Sequence, residues 1–386
     1  MEAGIGDHDL GPNHGRVGYR LSPGAPTRMC WVISDSMNPG AANFATNTGF
    51  VDVPGVRLAY DAAGQGTDLV FLHGGLLDRR MWDSQFAFFA RNYRAIRYDM
   101  RSAGQSETVP SSEPFTHHED LFHFLEALGI ERASLVGHSN YAVALDFAIA
   151  YPGLVEKLVL VSPGLRGYDF RDAWAGTRSA AMMQALARRD LGGAVEEFLS
   201  MWVDGPYRAA REISPLVRVP VGEMVTRAFH LSRLAPNCKG LEPPAAGRLD
   251  EVGVPTLIVL GEEDAPDIHA IARLIHEGIP RSQLVKIPDG GHTLVMETPK
   301  EFNKVVEAFP PRLTRLKPPF SQSRSRRGHR DGVARLRFCG MRKNSQAHVA
   351  RGCGEVVPPY GLNRWPDIDL WRFSRVAHKS VNSESN

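Results

Sequence analysis

Between about residue 50 and residue 310, short apolar runs alternate with longer stretches of helical periodicity. The apolar runs lie at 57–60, 69–72, 93–98, 133–136, 157–161, 256–260 and 283–287, and most are rich in Val, Ile and Leu. Runs that are apolar throughout, rather than at every second position, are typical of strands covered on both faces of a sheet. The pattern therefore predicts a sheet buried between two layers.

The stretches between these runs predict helices at about 80–91, 116–129, 140–151, 267–278 and 299–309. In the second of them, Leu121, Phe124, Leu125 and Leu128 recur at helical spacing, and Gly129 follows as a stop signal. Strands that alternate with helices form mostly parallel sheets with helices on both faces. The fold class predicted is α/β, a mostly parallel, doubly wound sheet.

One long segment interrupts the alternation. Between residue 163 and about residue 248 no strand is predicted, and the clearest helical parts are 180–187 and 194–203. Because this segment falls between two predicted strands, we interpret residues 165–248 as a helical cap inserted into a core made of residues 49–164 and 249–311. We expect the cap to cover the carboxyl edge of the sheet, where open α/β folds bind ligands.

Both ends of the chain lack such periodicity. Residues 1–48 are rich in Gly, Pro, Asn and Asp, and we predict a disordered extension there. Residues 311–386 hold 16 Lys and Arg against 5 Asp and Glu, so the rest of the chain holds 29 against 38. We predict that 312–386 form a basic, disordered tail, with a role as a nucleic-acid or lipid-binding arm as the alternative. The acidic body argues against a nucleic-acid surface on the core.

The remaining composition favours a protein of the cytoplasm. The four cysteines, at positions 30, 238, 339 and 353, form no CxxC pair and no disulfide-rich pattern. The first residues, MEAGIGDHDL, are acidic where a secretion signal is basic and then apolar. No run approaches the roughly 20 apolar residues of a membrane span. We expect no membrane association, and the sequence predicts no oligomeric state.

A candidate nucleophile lies in LVGHSNYA, residues 135–142. The predicted strand ends at Ser139 and a helix begins at once, which forces a strained turn that lifts the hydroxyl clear of the sheet. The amide of Asn140 then lies at a helix N-terminus, where it can stabilise an oxyanion. Gly137 allows the turn to pack closely. A serine before a helix is also a common cap, so the motif needs support from elsewhere.

A second motif, FLHGG at 71–75, follows another predicted strand. Glycines here let the backbone approach a ligand and leave an amide free. We predict Gly75, or its neighbour Leu76, as the second oxyanion donor.

Two further segments supply a base and an acid. The strand in LIVLGEEDAP, residues 257–266, runs into an acidic loop, and IPDGGHTLVME, residues 287–297, runs into a Gly-Gly-His turn. A serine hydroxyl needs a base within hydrogen-bond reach, and the base needs a carboxylate to orient it. We predict His292 as the base and Asp264 as the acid, because Asp264 lies three residues past Gly261 at the strand end. Glu262, Glu263 and Asp267 are the rival acids.

Five motifs in this order resemble the α/β-hydrolase fold superfamily, of the capped esterase, lactonase and C–C hydrolase type. They are HGG at 73–75, DMRSAGQS at 99–106, GHSNY at 137–141, GEED at 261–264 and GGH at 290–292. The resemblance covers about residues 50–310. It implies that DMRSAGQS is a structural turn and that catalysis requires no metal or organic cofactor.

Two positions depart from the family pattern. Ser102 replaces the usual first glycine of the DMRSAGQS turn, and Tyr141 replaces the last glycine of the nucleophile motif. A ring at position 141 requires the helix or its neighbours to shift, which predicts a distorted turn and low activity.

The function predicted is a serine hydrolase that cleaves a small carboxylic ester, lactone or related acyl substrate. The alternative is a non-hydrolytic small-molecule-binding protein on the same fold, a receptor or a decayed enzyme. Among the other polar side chains, His138 is expected to pack inside, and His117 and His118 to be solvated. Trp82 and Trp202 have even claims to line the pocket or to pack under the cap, and Met182 is expected to pack.

Overall fold

A computed structural model describes residues 45–107, 114–139, 142–231 and 238–309 of the chain. Most of the predicted extension 1–48 and all of the predicted tail 312–386 lie outside the described residues, as do Asn140 and Tyr141. The disorder predicted for the two ends, and the distortion predicted from Tyr141, stay predictions.

The described strands are β1 (Asn47–Val53), β2 (Val56–Ala63), β3 (Asp68–Leu72), β4 (Arg94–Tyr98), β5 (Phe115–Thr116), β6 (Ala133–His138), β7 (Val155–Val161), β8 (Cys238–Lys239), β9 (Thr256–Gly261) and β10 (Ser282–Ile287). Eight of them form one sheet in the order β1-β2-β4-β3-β6-β7-β9-β10. Strand β2 runs antiparallel to both of its neighbours, and the other pairs are parallel. The mostly parallel sheet predicted from the apolar runs is confirmed.

The described α-helices are α1 (Asp83–Phe89), α2 (His117–Ala127), α3 (Val143–Ala150), α4 (Ala173–Ala187), α5 (Leu191–Leu199), α6 (Pro215–His230), α7 (Pro266–Gly278), α8 (Leu294–Glu297) and α9 (Pro299–Ala308). Helices α2, α3 and α7 pack on one face of the sheet, and α1, α8 and α9 pack on the other. Strand β3 shows why its run is apolar throughout. Val70 and Leu72 enter the first layer, while Leu69 and Phe71 enter the second.

The segment between β7 and β9 contains helices α4, α5 and α6, with one π-helical turn at Ser200–Asp204. We call residues 165–248 the helical insert. Each of its helices begins at a side chain that accepts a hydrogen bond from a first-turn amide: Asp172 for α4, Asp190 for α5 and Ser214 for α6. Pro215, at the first helical position, has no amide hydrogen to leave unsatisfied.

Two details differ from the sequence prediction. Strand β1 begins at Asn47, inside the stretch 1–48 assigned to a disordered extension, because pairing with β2 gives a partner to a segment with no apolar pattern of its own. Within the insert, the two-residue strand β8 pairs with β5, although no strand was predicted there. Among the described residues, no helix combines the length and the apolar character needed to cross a membrane.

Candidate active site

Ser139 lies at the carboxyl end of β6 with a backbone φ of 49°, in the left-handed region that non-glycine residues rarely adopt. Its amide donates to the carbonyl of Val161, and its carbonyl accepts from the amide of Gly164. A Cβ on Gly137 would lie 2.6 Å from the Cβ of Ala144, so only glycine allows β6 to approach α3 this closely. These contacts hold the serine in the strained turn that the sequence predicted.

The carboxylate of Asp264 is buried in the turn after β9. Its Oδ1 accepts from the amide of Ala265 at 2.8 Å. Burial opposes ionisation, but the neighbouring His292 ring and the hydrogen bond from the Ala265 amide hold the pKa of Asp264 below its ordinary value. Asp264 is therefore a carboxylate at neutral pH.

His292 joins the other two side chains. Its Nδ1 lies 3.0 Å and 3.1 Å from the two carboxylate oxygens of Asp264, and its Nε2 lies 2.9 Å from the Ser139 hydroxyl oxygen. With the proton on Nδ1, the ring donates to Asp264 and accepts from the serine hydroxyl. An alcohol, an imidazole and a carboxylate from three distant loops thus form one hydrogen-bonded row.

The rival acids lie elsewhere. Glu262 is exposed, and the carboxylate of Asp267 accepts from the Tyr168 hydroxyl and from the amides of Arg171 and Asp172. Asp267 thus joins α7 to the start of the insert, and only Asp264 among these acids contacts His292.

The predicted oxyanion loop lines the same pocket as Ser139, through both Gly75 and Leu76. Among the described residues neither amide has a hydrogen-bond acceptor, and Leu76 has a φ of 61°. His73 fastens the loop, since its Nδ1 donates to the Gly74 carbonyl at 2.8 Å and its Nε2 accepts from the Met100 amide at 2.9 Å. Burial lowers the pKa of His73, which keeps the ring neutral and able to accept. Asn140, the other predicted donor, lies outside the described residues.

The DMRSAGQS turn is built around Asp99. This carboxylate accepts from the Arg79 amide at 2.8 Å and from the Gln105 amide at 2.7 Å. Ser102 keeps the left-handed conformation expected of the glycine it replaces, with a φ of 62°. The turn also forms part of the pocket wall, a position that the sequence prediction did not assign to it.

A cavity of about 240 Å³ lies over Ser139 and His292, enclosed by side chains of the sheet body and of the helical insert. The Trp202 ring lies 4.5 Å from the His292 ring, centroid to centroid. Trp82 instead packs under the loop against Phe71 and Phe302, and it does not line the cavity. Met182, expected only to pack, is buried and also lines the cavity.

Several further lining residues had no signal in the sequence, because the insert carries no motif that distinguishes an inward side chain from a packed one. They are Phe170, Phe198, Met201, Met224 and Arg227.

The histidines near the site divide into expected and unexpected cases. His138 is buried as predicted, and its Nε2 donates to the carbonyl of His292 at 2.8 Å. His117 and His118, predicted to be solvated, are both buried, and His117 lines the cavity. Burial, together with nearby His73 and arginines, lowers the pKa of His117 to about 3. The prediction for these two residues was wrong: β5, which directly precedes α2, pairs with the distant β8, and the Phe115 ring of β5 lies 5.3 Å from the His117 ring.

Among the described residues, no group of three or more His, Cys, Asp or Glu side chains is arranged to hold a metal ion.

Comparison with known proteins agrees with the fold. Residues 69–305 match the model described as the alpha/beta hydrolase family. A putative 2-succinyl-6-hydroxy-2,4-cyclohexadiene-1-carboxylate synthase of Bacillus subtilis is 28% identical over 66% of this chain and 95% of its own. A 2-hydroxy-6-oxononadienedioate/2-hydroxy-6-oxononatrienedioate hydrolase of Paraburkholderia phymatum is 29% identical over 66% of this chain and 91% of its own.

A solved structure of Est816, described as an N-acyl homoserine lactone degrading enzyme, superposes with a TM-score of 0.55. It is 25% identical, and the match covers 68% of this chain and 100% of that one.

Proposed function

The chain belongs to the alpha/beta hydrolase family, and from this we propose that it is a serine hydrolase of carboxylic esters or lactones. The observation that carries the proposal is the row of hydrogen bonds from Ser139 through His292 to Asp264, with 2.9 Å between the serine oxygen and the imidazole Nε2. A hydroxyl, a base and an orienting acid in contact are the parts that nucleophilic acyl transfer requires.

In the proposed reaction, the Ser139 oxygen bonds to the acyl carbon while its proton passes to Nε2 of His292. The carbonyl oxygen becomes an oxyanion, for which we propose the amides of Gly75 and Asn140 as donors. His292 then gives its proton to the departing alcohol as the acyl–oxygen bond breaks. Water, deprotonated by His292, attacks the acyl-enzyme, and His292 returns that proton to the Ser139 oxygen as the acyl–serine bond breaks and the acid is released. Asp264 stays ionised throughout, and no metal or organic cofactor takes part.

The pocket wall supports an apolar acyl or alkyl group in the substrate. Its lining is rich in Met, Leu and aromatic side chains. Of the charged residues in that lining, Arg101 pairs with Asp120 and Asp78 pairs with Arg80, so both charges are already compensated. Arg227 also lines the cavity but is exposed. We therefore propose an acyl group without a charge near the scissile bond.

A second candidate is hydrolysis of a carbon–carbon bond, which the name of the Paraburkholderia phymatum relative favours. That name describes a dicarboxylate substrate. Two carboxylates require compensating cations. Because Arg101 is already paired, Arg227 is the one lining arginine among the described residues left to compensate two charges, which counts against this candidate.

Two measurements test the proposal together. A fluorophosphonate probe should label wild-type protein at Ser139 and leave the Ser139→Ala variant unlabelled. A panel of p-nitrophenyl esters, lactones and a dienedioate should show turnover of the uncharged esters or lactones, which Ser139→Ala lowers by about 10⁴–10⁶-fold. Equal turnover by wild type and variant would exclude Ser139 as nucleophile. A folded wild type that neither reacts nor turns over would favour the non-hydrolytic binding protein instead.

A further inference from the structure

The helical insert contacts the loop that carries His292 through one buried ion pair. Arg208, which follows the π-helical turn, donates from Nη1 to the carboxylate of Glu297. The same guanidinium donates to the carbonyls of Val203 at 2.7 Å and Asp204 at 3.1 Å. Arg208 thus fastens the end of the π-helical turn to the last residue of α8.

Glu297 in turn holds the residues on both sides of His292, through the Gly291 backbone and the Thr293 side chain. Its Oε2 accepts from the Gly291 amide at 3.2 Å, and its Oε1 accepts from the Thr293 hydroxyl at 2.8 Å. Both carboxylate oxygens are therefore used, one on each side of the histidine. The side chains of Arg208 and Glu297 are 14% and 8% exposed, so water competes little for these bonds.

The Gly-Gly-His turn is shaped to admit this arginine. A Cβ on Gly291 would lie 2.0 Å from the Arg208 Nη2, so any other residue at this position requires the guanidinium to move. The Trp202 ring of the same insert lies against the His292 ring at 4.5 Å. The insert therefore contacts both the histidine and its loop.

We propose that Arg208 and Glu297 are positioning residues, which orient His292 toward Ser139 and make that orientation depend on the docking of the insert. The proposal rests on the function proposed above. Neither residue touches the reacting atoms. The insert is then more than a cover, because displacing it also releases the loop of the base.

Removing one member of the pair leaves the other charge buried beside the His292 loop. Arg208→Gln leaves an uncompensated carboxylate, and Glu297→Gln leaves an uncompensated guanidinium. The two variants should therefore move the acid limb of the kcat/KM–pH profile in opposite directions, to higher pH for Arg208→Gln and to lower pH for Glu297→Gln. Asp264 and His138, the other titratable groups in contact with His292, are unchanged in both.

The experiment compares these variants with a matched control on a preferred ester substrate. Arg208→Gln should lower kcat about 10–100-fold and change KM by less than about threefold, as expected for lost orientation rather than lost binding. Arg208→Lys keeps the charge and should recover most of kcat. Arg178→Gln removes a partly buried insert arginine that pairs with Glu197, outside the His292 loop and outside the contacts of Arg208. It should leave kcat and the pH profile unchanged.

Hydrogen exchange of the peptide 288–298 tests the inference without relying on activity. Exchange should rise in Arg208→Gln and not in Arg178→Gln. Unchanged exchange in Arg208→Gln, or pH profiles that shift in the same direction in both pair variants, would overturn the inference. Loss of fluorophosphonate labelling in wild type would refute the proposed function instead, and the exchange result would still decide whether Arg208 holds the loop.

Discussion

The sheet body and the helical insert both line the cavity, but they hold their side chains by different means. In the body, backbone hydrogen bonds to Val161 and Gly164 fix Ser139, and the amide of Ala265 fixes Asp264. In the insert, Met182 and Met224 face the cavity from helices. Their contacts with the described residues are apolar packing contacts. Methionine is unbranched and adapts to irregular surroundings.

This contrast separates chemistry from selectivity. A reacting group must stay within a fraction of an ångström of its geometry, which strand ends and their hydrogen bonds provide. An apolar wall tolerates repacking, so helices whose side chains face the cavity without backbone hydrogen bonds to the site are sufficient to form it. Mutations of the reacting groups at the strand ends should then change the rate for all substrates, and mutations in the apolar cavity wall of the insert should change which substrates react.

The largest effect is expected on kcat, in a comparison of the two buried carboxylates that follow β9. Asp264→Asn should lower kcat about 10³–10⁴-fold, because an amide in place of the carboxylate favours the wrong tautomer of His292. Turnover of a p-nitrophenyl ester by purified, folded variant measures this loss.

Asp267→Asn is the matched control. It removes the same charge from a carboxylate that joins α7 to the insert, and it should cost about 1–3 kcal/mol of unfolding free energy with less than a tenfold change in kcat. If Asp267→Asn lost as much activity as Asp264→Asn, the assignment of the orienting role to Asp264 would fail.

The next effect concerns His117, a body residue in the cavity wall. Burial lowers its pKa to about 3 from an ordinary 6.5, so the native state keeps the ring neutral. As the pH falls below 6.5, residue 117 binds a proton in the unfolded chain, whereas in the native state it does not bind one until about pH 3. The free energy of unfolding therefore falls. His117→Asn should reduce the loss of unfolding free energy between pH 7 and pH 5 by about 2 kcal/mol.

Urea unfolding at both pH values measures this difference. A loss equal in His117→Asn and wild type would contradict the buried, neutral state of the ring.

The smallest effect tests the insert. Met182→Phe narrows the cavity and should lower kcat/KM for an octanoyl ester about tenfold relative to an acetyl ester. Met183→Phe adds the same ring at the adjacent position, which does not line the cavity, and should leave the ratio unchanged. Equal loss for both esters would mean that Met182 acts on the chemistry rather than on selectivity.

The local pattern of apolar and polar residues was enough to predict the sheet and to place the motifs at the ends of its strands. Runs such as 69–72 and 256–260 are apolar because both faces of their strands are buried, and that requirement is written into consecutive residues. The strained serine and the close approach at Gly137 also follow from a strand that turns at once into a helix.

Other features depended on partners distant in the chain. The burial of His117 depends on the pairing of β5 with β8, more than 100 residues away. The cavity wall depends on which side of each insert helix faces the sheet. The contact of Arg208 with Glu297 joins residues 89 positions apart.

The sequence by itself determined the fold class and the residue types available for catalysis, because both are encoded in short-range periodicity and in motifs at strand ends. Only the tertiary structure decided which carboxylate contacts His292, which side chains enclose the cavity, and how the insert reaches the loop of the base. The physical reason is that such contacts join atoms from distant segments, and their geometry exists only once the chain has packed.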